Sequence, residues 1–255
     1  MKNLQLKQII SPIADVRRNP DSNSELETQC LLGENVKLLD EFKNWLYCKC
    51  ELDNYVGWIK KQNIGAVRNV SLKIKSILTH VYKEPNIKSK VVCVLYFNSK
   101  ICIEKKFDEW VSIKINNQIG FVKKIHTKLL EDFDKHWIGR AMSFKGAPYQ
   151  WGGKSFIGID CSGLVQITLE SSGIKIPRNT DDQLNFKSDK VITTSKIQKG
   201  SLIFWKGHVA IAIKKNMILH SNAFHMSVQI ESLEHAIKRI KKSYGDILGV
   251  KKILY

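Results

Sequence analysis

The sequence has no apolar run near the ~20 residues that a membrane-crossing helix needs, which argues against a protein embedded by helices. Its opening stretch, Met1 to Ile10, is interrupted by Lys2, Asn3, Gln5, Lys7 and Gln8. It therefore lacks the apolar core and small-residue cleavage site of a secretory leader, and a cytoplasmic location is the expectation. No Cys-x-x-Cys pair occurs among the cysteines at 30, 48, 50, 93, 102 and 161. A thiolate zinc site thus lacks its usual support, and thiols are expected rather than a disulfide framework. No low-complexity stretch or flexible linker separates one part of the chain from another, so the parts are expected to pack together. Acidic residues are also short, with 24 Asp+Glu against 41 Lys+Arg and a formal net charge of +17.

Such an excess invites a nucleic-acid reading. The charge is uneven, however: residues 1–70 carry net +1, residues 71–130 net +8 and residues 131–255 net +8. The lysine-rich middle has no interleaved exposed aromatics in any RNA- or DNA-reading motif, so a solvated surface is expected there and no nucleic-acid partner. Glycine is uneven too, with four before residue 131 and eleven after it. Tight turns and close backbone approaches, where sites tend to be built, are concentrated in the second half.

Two segments of the first half resemble each other. One contains Gly33-Glu34-Asn35-Val36, Asn44-Trp45-Leu46-Tyr47 and Tyr55-Val56-Gly57-Trp58-Ile59-Lys60; the other contains Glu109-Trp110-Val111-Ser112 and Ile119-Gly120-Phe121-Val122-Lys123. The two tryptophans lie 65 positions apart. Short alternating strands with turn residues between them read as small antiparallel barrels, and the pattern resembles a tandem of bacterial SH3-like domains. Trp45 and Trp110 are expected in the cores. Cys48 and Cys50 alternate in step with Leu46 and are expected as buried small hydrophobes on the same strand face. Glu34 and Tyr55 are polar residues at the edges of turns and are not explained by packing.

The second half holds Gly146-Ala147-Pro148-Tyr149-Gln150-Trp151-Gly152-Gly153, then Ile159-Asp160-Cys161-Ser162-Gly163-Leu164-Val165. Asp160 or Ser162 can cap a helix whose apolar face includes Leu164, Val165, Ile167 and Leu169. Cys161 then sits at a helix N-terminus, where unpaired N–H groups and the helix dipole favour a thiolate, the nucleophile of acyl-transfer chemistry. Farther on, His208-Val209-Ala210-Ile211-Ala212-Ile213 and Met217-Ile218-Leu219-His220 flank a short polar turn and read as a hairpin. A turn centred on residue 214 makes His208 and His220 direct cross-strand neighbours, with Cβ atoms about 4.5–5.5 Å apart. One imidazole can then take the thiol proton while the other holds its far nitrogen. His225 would face away in a continuing strand and is expected as a loop or packing residue. Two other readings stay open: structural histidines, and a zinc ion held by Cys161, His208 and His220.

The run Pro-Tyr-x-Trp-Gly-Gly, Asp-Cys-Ser-Gly-Leu-Val, Ile176-Pro177-Arg178, Gly200-Ser201-Leu202-Ile203-Phe204-Trp205 and His208-Val209-Ala210 resembles the NlpC/p60 family of cysteine peptidases over about residues 131–255. The resemblance implies an α+β protein: a papain-like catalytic domain at 131–255 preceded by two all-β SH3-like barrels, at 1–68 and 69–130. It implies Cys161 as nucleophile, His208 as base and His220 as the orienting third member. Tyr149 and the backbone N–H of Cys161 match positions credited with oxyanion stabilisation, and Asp160, Ser162, Arg178 and Thr180 flank the cleft. The whole arrangement is similar to γ-D-glutamyl-L-diamino-acid endopeptidases, which implies peptidoglycan stem peptides (L-Ala-γ-D-Glu-diamino acid) as substrate, a role in murein recycling, and no metal or cofactor. Glu34 and Tyr55 match residues that bind the free amine of L-Ala in such enzymes. The chain departs from them at Asn179, where Asp often follows Pro-Arg, and at Ser201, where Gly-Asp is usual. Two other functional classes are compatible with the same residues: a Cys-His amidase or acyltransferase on another amide, and a non-catalytic wall- or nucleic-acid-binding module.

Overall fold

Alternation of apolar and polar residues organises the first half into short strands, as period-two burial requires. The computed structural model describes residues 4–186 and 190–253, and the chain divides into two compact units, Met1–Asp132 and Phe133–Tyr255. In the first unit, strands β1 (Leu6–Ile9), β2 (Ile13–Arg17), β3 (Leu26–Leu31), β4 (Asn35–Phe42), β5 (Trp45–Cys50), β6 (Val56–Lys60) and β7 (Ile64–Gly65) form one sheet in the order β3-β2-β6-β5-β4-β1-β7. After β8 (Leu72–Ile74) come β9 (Leu78–Tyr82), β10 (Val91–Tyr96), β11 (Lys100–Ile101), β12 (Ile103–Lys106), β13 (Trp110–Ile115), β14 (Gln118–Lys123) and β15 (Thr127–Leu129). These give a second sheet, β10-β9-β14-β13-β12, and a small one, β11-β8-β15.

The two larger sheets repeat one frame at the same 65-residue offset as the tryptophans. Ala14 pairs with Cys30 and Val16 with Thr28 in the first; Thr79 pairs with Leu95 and Val81 with Cys93 in the second. Register shifts fall at corresponding places, between Leu38 and Asp40 and between Ile103 and Lys105. Even the β2–β3 and β9–β10 turns agree. Asn23 N–H donates to Asp21 Oδ1 at 3.0 Å and Asn19 N–H to Ser24 Oγ at 2.9 Å. Lys88 N–H donates to Asn86 Oδ1 at 2.9 Å and Glu84 N–H to Ser89 Oγ at 3.1 Å. The repeat therefore extends well beyond the Trp and Gly positions that announce it.

Gly57 and Gly120 have one physical reason in common. A Cβ on Gly57 would lie 2.5 Å from Val16 Cγ1, and one on Gly120 would lie 2.3 Å from Val81 Cγ1. Each glycine lets β6 or β14 cross directly over a core valine. Trp45 and Trp110 are buried as expected, each with a lysine ammonium over its ring, Lys60 at 5.4 Å and Lys123 at 4.6 Å. Cys48, Cys50 and Leu46 share the first core with Cys30, Val36 and Ile59, and all six cysteines remain thiols. Each fully buried Ile or Leu of these cores contributes about 1.5–3 kcal/mol by removal from water. Within this unit the two copies are tied by Lys100 N–H to the Leu32 carbonyl at 2.8 Å and Asn116 N–H to the Ile10 carbonyl at 3.0 Å.

The second unit contains α1 (Trp137–Met142), β16 (Lys154–Ser155), β17 (Gly158–Ile159), α2 (Cys161–Ser171), α3 (Thr180–Asn185), β18 (Lys190–Ile192), β19 (Ser201–Trp205), β20 (His208–Lys214), β21 (Met217–Asn222), β22 (Ser227–Ser232), α4 (Leu233–Tyr244) and β23 (Gly249–Lys252). Its main sheet is antiparallel in the order β18-β23-β19-β20-β21-β22. Helix α2 is buried on every face from Cys161 to Leu169, beyond the single apolar face expected of it. It can be so because its polar residues bond to backbone: Thr168 Oγ1 donates to the Leu164 carbonyl at 2.7 Å and Gln166 Nε2 to the Ile176 carbonyl at 3.2 Å. Helix α4 is amphipathic, with Leu233, Ala236, Ile237 and Ile240 against Ile203, Ala210, Ala212 and Ile218 of the sheet. Among the described residues no helix is long and apolar enough to cross a membrane.

The β20–β21 hairpin differs from the register expected of it. Ile211 pairs with Leu219 and Ala212 with Ile218, a shift follows, and Lys214 pairs with Met217 around the two-residue turn Lys215-Asn216. Continuing that pairing sets Ala210, not His208, opposite His220. The two-residue loop and the irregularity between Ala212 and Lys214 together move the register by two, and a shift of two preserves the face on which each side chain stands. The histidines are diagonal neighbours rather than a direct pair, still within side-chain reach.

Candidate active site

Helix α2 starts at Cys161 because the side chain of Asp160, in extended backbone, accepts the Gly163 N–H at 2.7 Å. The same carboxylate does more than cap. Oδ1 also accepts from Ser162 Oγ at 3.2 Å and Arg178 Nη1 at 2.9 Å; Oδ2 accepts from Gly152 N–H at 2.9 Å and Arg178 Nη2 at 2.7 Å. Arg178, 2% exposed, further donates to Ser162 Oγ at 2.8 Å and the Gly153 carbonyl at 3.2 Å. A buried ion pair is tolerable only when its remaining hydrogen-bonding capacity is used in this way. Gly163 completes the join, since a Cβ there would lie 2.5 Å from the Gly153 carbonyl oxygen. Asp160, Ser162 and Arg178 thus bond to one another around the start of α2, where Cys161 stands.

Cys161 is 8% exposed, with Sγ 3.8 Å from Thr180 Oγ1 and a hydrogen bond from the backbone N–H of Val209. Burial, and then the Asp160 carboxylate, push its thiol up to about 11. The helix N-terminus was expected to favour thiolate, and here burial outweighs it. The resting group is a neutral thiol that needs a base.

His208, expected from the sequence as that base, stands one residue before Val209. His208 Nε2 lies 2.9 Å from His220 Nδ1, and His220 Nε2 lies 3.1 Å from Glu231 Oε2. Arg239 of α4 grips Glu231 with both donors, Nε to Oε1 at 3.2 Å and Nη2 to Oε2 at 2.5 Å. Burial, with help from Arg239, pushes His208 down to about 4. Burial and then the neighbouring His208 push His220 lower still, so both imidazoles are neutral at pH 7. Tyr149 is half-buried, and burial followed by the proximity of Cys161 pushes its hydroxyl well above its ordinary value. It stays a donor throughout the neutral range.

The other expected residues fall as follows. Thr180, buried, opens α3; Asn179 before it is exposed and makes no side-chain cap to that helix. His225 lies in the β21–β22 turn, its backbone N–H and Nδ1 both on Asn222 Oδ1 at 2.9 and 3.0 Å, in keeping with a loop residue. In the first unit Glu34 is 3% exposed, and Tyr55 donates from its hydroxyl to Glu27 Oε2 at 2.7 Å. Among the described residues the cluster of possible metal donors is His220, His225 and Glu231, and Cys161 is not part of it. Its Glu231 oxygen already holds His220 and Arg239, and the guanidinium opposes a second cation there.

Glu231 and Arg239 were not anticipated from the sequence. Their only signal is positional: Glu231 is the penultimate residue of β22, whose pairing with β21 sets it two residues diagonal to His220, and Arg239 follows it by eight residues on an amphipathic helix.

Comparison with known proteins agrees with this architecture. The NlpC/P60 family model matches residues 146–244, and the model of the bacterial dipeptidyl-peptidase Sh3 domain matches residues 16–64. Dipeptidyl-peptidase 6 of Lysinibacillus sphaericus is 29% identical over 249 residues, covering 89% of this chain and 91% of that protein. The gamma-D-glutamyl-L-lysine dipeptidyl-peptidase of Bacillus cereus is 27% identical, covering 81% of this chain and 70% of that one. An NlpC homolog of Haemophilus influenzae is 30% identical over 135 residues, 48% of this chain and 68% of that protein. The crystal structure of an NlpC/P60 family protein from Bacillus cereus superposes with a TM-score of 0.82 at 21% identity, covering 98% of this chain and 100% of that one, a likeness of fold.

Proposed function

The chain belongs to the NlpC/P60 family of cysteine peptidases, and on that premise we propose that it hydrolyses the amide between γ-D-glutamate and the diamino acid of peptidoglycan stem peptides. The observation that carries the proposal is the buried Cys161 at the Asp160-capped start of α2, together with the 2.9 Å contact of His208 Nε2 and His220 Nδ1 on adjacent strands of the same unit. Cys161 Sγ forms a bond to the γ-carbonyl carbon while its proton passes to His208. The tetrahedral oxyanion takes hydrogen bonds from Tyr149 and the Cys161 N–H. The C–N bond then breaks, and the diamino acid leaves with the proton that His208 held. Water, deprotonated by the same imidazole, hydrolyses the thioester and returns the thiol.

Support for the bond cleaved comes from relatives named as γ-D-glutamyl-L-lysine dipeptidyl-peptidases. Within the proposal Glu34 and Tyr55 recognise the free amine of L-Ala, a carboxylate for an ammonium. Asn179 is neutral where the acidic residue of similar enzymes stands, which leaves Glu34 the larger share. Asp160, Ser162 and Arg178 hold the nucleophile's helix, and Thr180 hydrogen-bonds the thiol. The division into 1–68, 69–130 and 131–255, and a place in cytoplasmic recycling of released stem peptides, belong to the same proposal.

The test is incubation under reducing conditions with L-Ala-γ-D-Glu-L-Lys and its diaminopimelate counterpart, followed by mass spectrometry. Release of L-Ala-γ-D-Glu and the free diamino acid, abolished by Cys161→Ala, is expected. Both peptides intact beside an intact Cys161 would overturn the proposal.

A further inference from the structure

We infer that Glu231 is a positioning residue: by accepting the Nε2 proton of His220 it sets the tautomers of both histidines, leaving Nδ1 of His208 as the base for Cys161. The inference rests on the reading of Cys161 and His208 as nucleophile and base. It goes beyond that reading in adding a fourth and a fifth participant, Glu231 and Arg239.

The argument is a count of protons. An ionised carboxylate only accepts, and a neutral imidazole has one N–H and one lone pair. With His220 Nε2 3.1 Å from Glu231 Oε2, that nitrogen must carry the proton, because a lone pair there would face a carboxylate lone pair. His220 Nδ1 is then an acceptor. Its partner at 2.9 Å, His208 Nε2, must be the donor. The single proton of His208 is therefore on Nε2, and its lone pair is on Nδ1, the nitrogen free to serve a thiol. Reversing any one link reverses them all and puts a proton on the nitrogen that has to receive one. Without Glu231, nothing in this set of bonds chooses between the two directions.

The fold makes the chain of bonds stiff. His208, His220 and Glu231 come from consecutive strands β20, β21 and β22, each a two-residue diagonal from the last and all on one face by parity. Arg239 reaches down from α4 to fix the plane of the carboxylate through both oxygens. Its guanidinium in turn lies 4.5 Å from the centre of the Phe224 ring. The two Arg239 donors and His220 all compete for acceptor lone pairs of Glu231, which is why a carboxylate suits the place better than a neutral side chain.

The experiment compares wild type, Glu231→Ala, Glu231→Gln and His208→Ala in three readouts: tautomer by long-range 1H–15N correlation of histidine-labelled protein, the rate of Cys161 alkylation by iodoacetamide followed by peptide mass spectrometry, and steady-state cleavage of the stem peptide. Thermal unfolding of each variant checks its fold. In wild type the Nε2–H form of both histidines is expected. Glu231→Ala is expected to mix the tautomers of His208 and to lower both alkylation rate and kcat by about 10- to 100-fold with KM unchanged, the range typical of lost outer partners. Glu231→Gln, whose amide oxygen can still accept from His220, is expected to keep the wild-type tautomer and most of the rate. Unchanged His208 tautomer and unchanged alkylation in a folded Glu231→Ala protein would overturn the inference. Alkylation and tautomer need no substrate, so a wild type that ignores the stem peptide would defeat the proposed function while leaving this inference to stand or fall on the first two readouts.

Discussion

Positions 34 and 99 occupy the same place in one repeated frame, yet the first holds a buried carboxylate and the second a buried serine hydroxyl. Past the β4–β5 hairpin, the equivalent of Tyr55, whose hydroxyl bonds Glu27, is the exposed Gln118. Much of what builds the sheets is kept between the two copies: the glycine over a valine, the tryptophan under a lysine, the register shifts, the turn bonds. What differs is polar chemistry that folding does not require. The comparison teaches that function in the first unit is sought where the repeat fails.

The largest effect expected from disturbing this difference is at Glu34. Glu34→Gln should lower kcat/KM for a stem peptide with a free amine by about 10- to 100-fold, the equivalent of a charge-assisted hydrogen bond of about 1.5–3 kcal/mol. It should leave an N-acetylated peptide unaffected, and Ser99→Ala should leave both unaffected. Equal losses on both peptides would mean that the two positions differ in stability and not in recognition.

Acid should separate the regions next. His208 is held neutral in the folded state, its pKa pushed from 6.5 down to about 4, and His220 is lowered further. The unfolded chain therefore binds more protons than the native one below pH 6.5. Stability from these groups is fully present above that pH and is lost as pH falls toward 4, on the order of 3 kcal/mol for His208 alone. Residues 1–70 contain no histidine. Hydrogen exchange at pH 5 should show β20 to β22 losing protection before β2 to β6; simultaneous loss would contradict the assignment.

A smaller and symmetrical change is expected at the crossing glycines. Gly57→Ala and Gly120→Ala should each destabilise by about 1–3 kcal/mol in urea unfolding, the usual cost of overpacking. Losses within about 1 kcal/mol of each other would strengthen the equivalence of the frames, the spread expected for one mechanism in two settings. The least effect belongs to Tyr55→Phe, which removes one hydrogen bond worth about 0.5–1.5 kcal/mol and should change kcat/KM for the free-amine peptide a few-fold at most.

Part of the candidate site was readable because Asp160-Cys161-Ser162-Gly163 is continuous in sequence: a capping carboxylate and a close-packed glycine flank a cysteine at the start of a helix. The facing of His208 and His220 survived a register error because the shift was even. Glu231 and Arg239 were not readable, since nothing in an alternating strand or an amphipathic helix distinguishes a surface ion pair from one that ends on a buried imidazole. The repeat is legible at its aromatic and glycine positions and less so in the turns at Asn19-Pro20-Asp21 and Glu84-Pro85-Asn86, where Asp21 and Asn86 differ in type but make the same bond.

The burial of Cys161 also bears on how long the protein remains intact. Peroxides and other oxidants react with thiolate far faster than with thiol. A group whose proton is retained to about 11 exposes little thiolate at neutral pH, and at 8% exposure it offers little surface to a collision. A cysteine kept in this form ages slowly, and sulfenic acid should accumulate at Cys161 more slowly than at an exposed low-pKa cysteine.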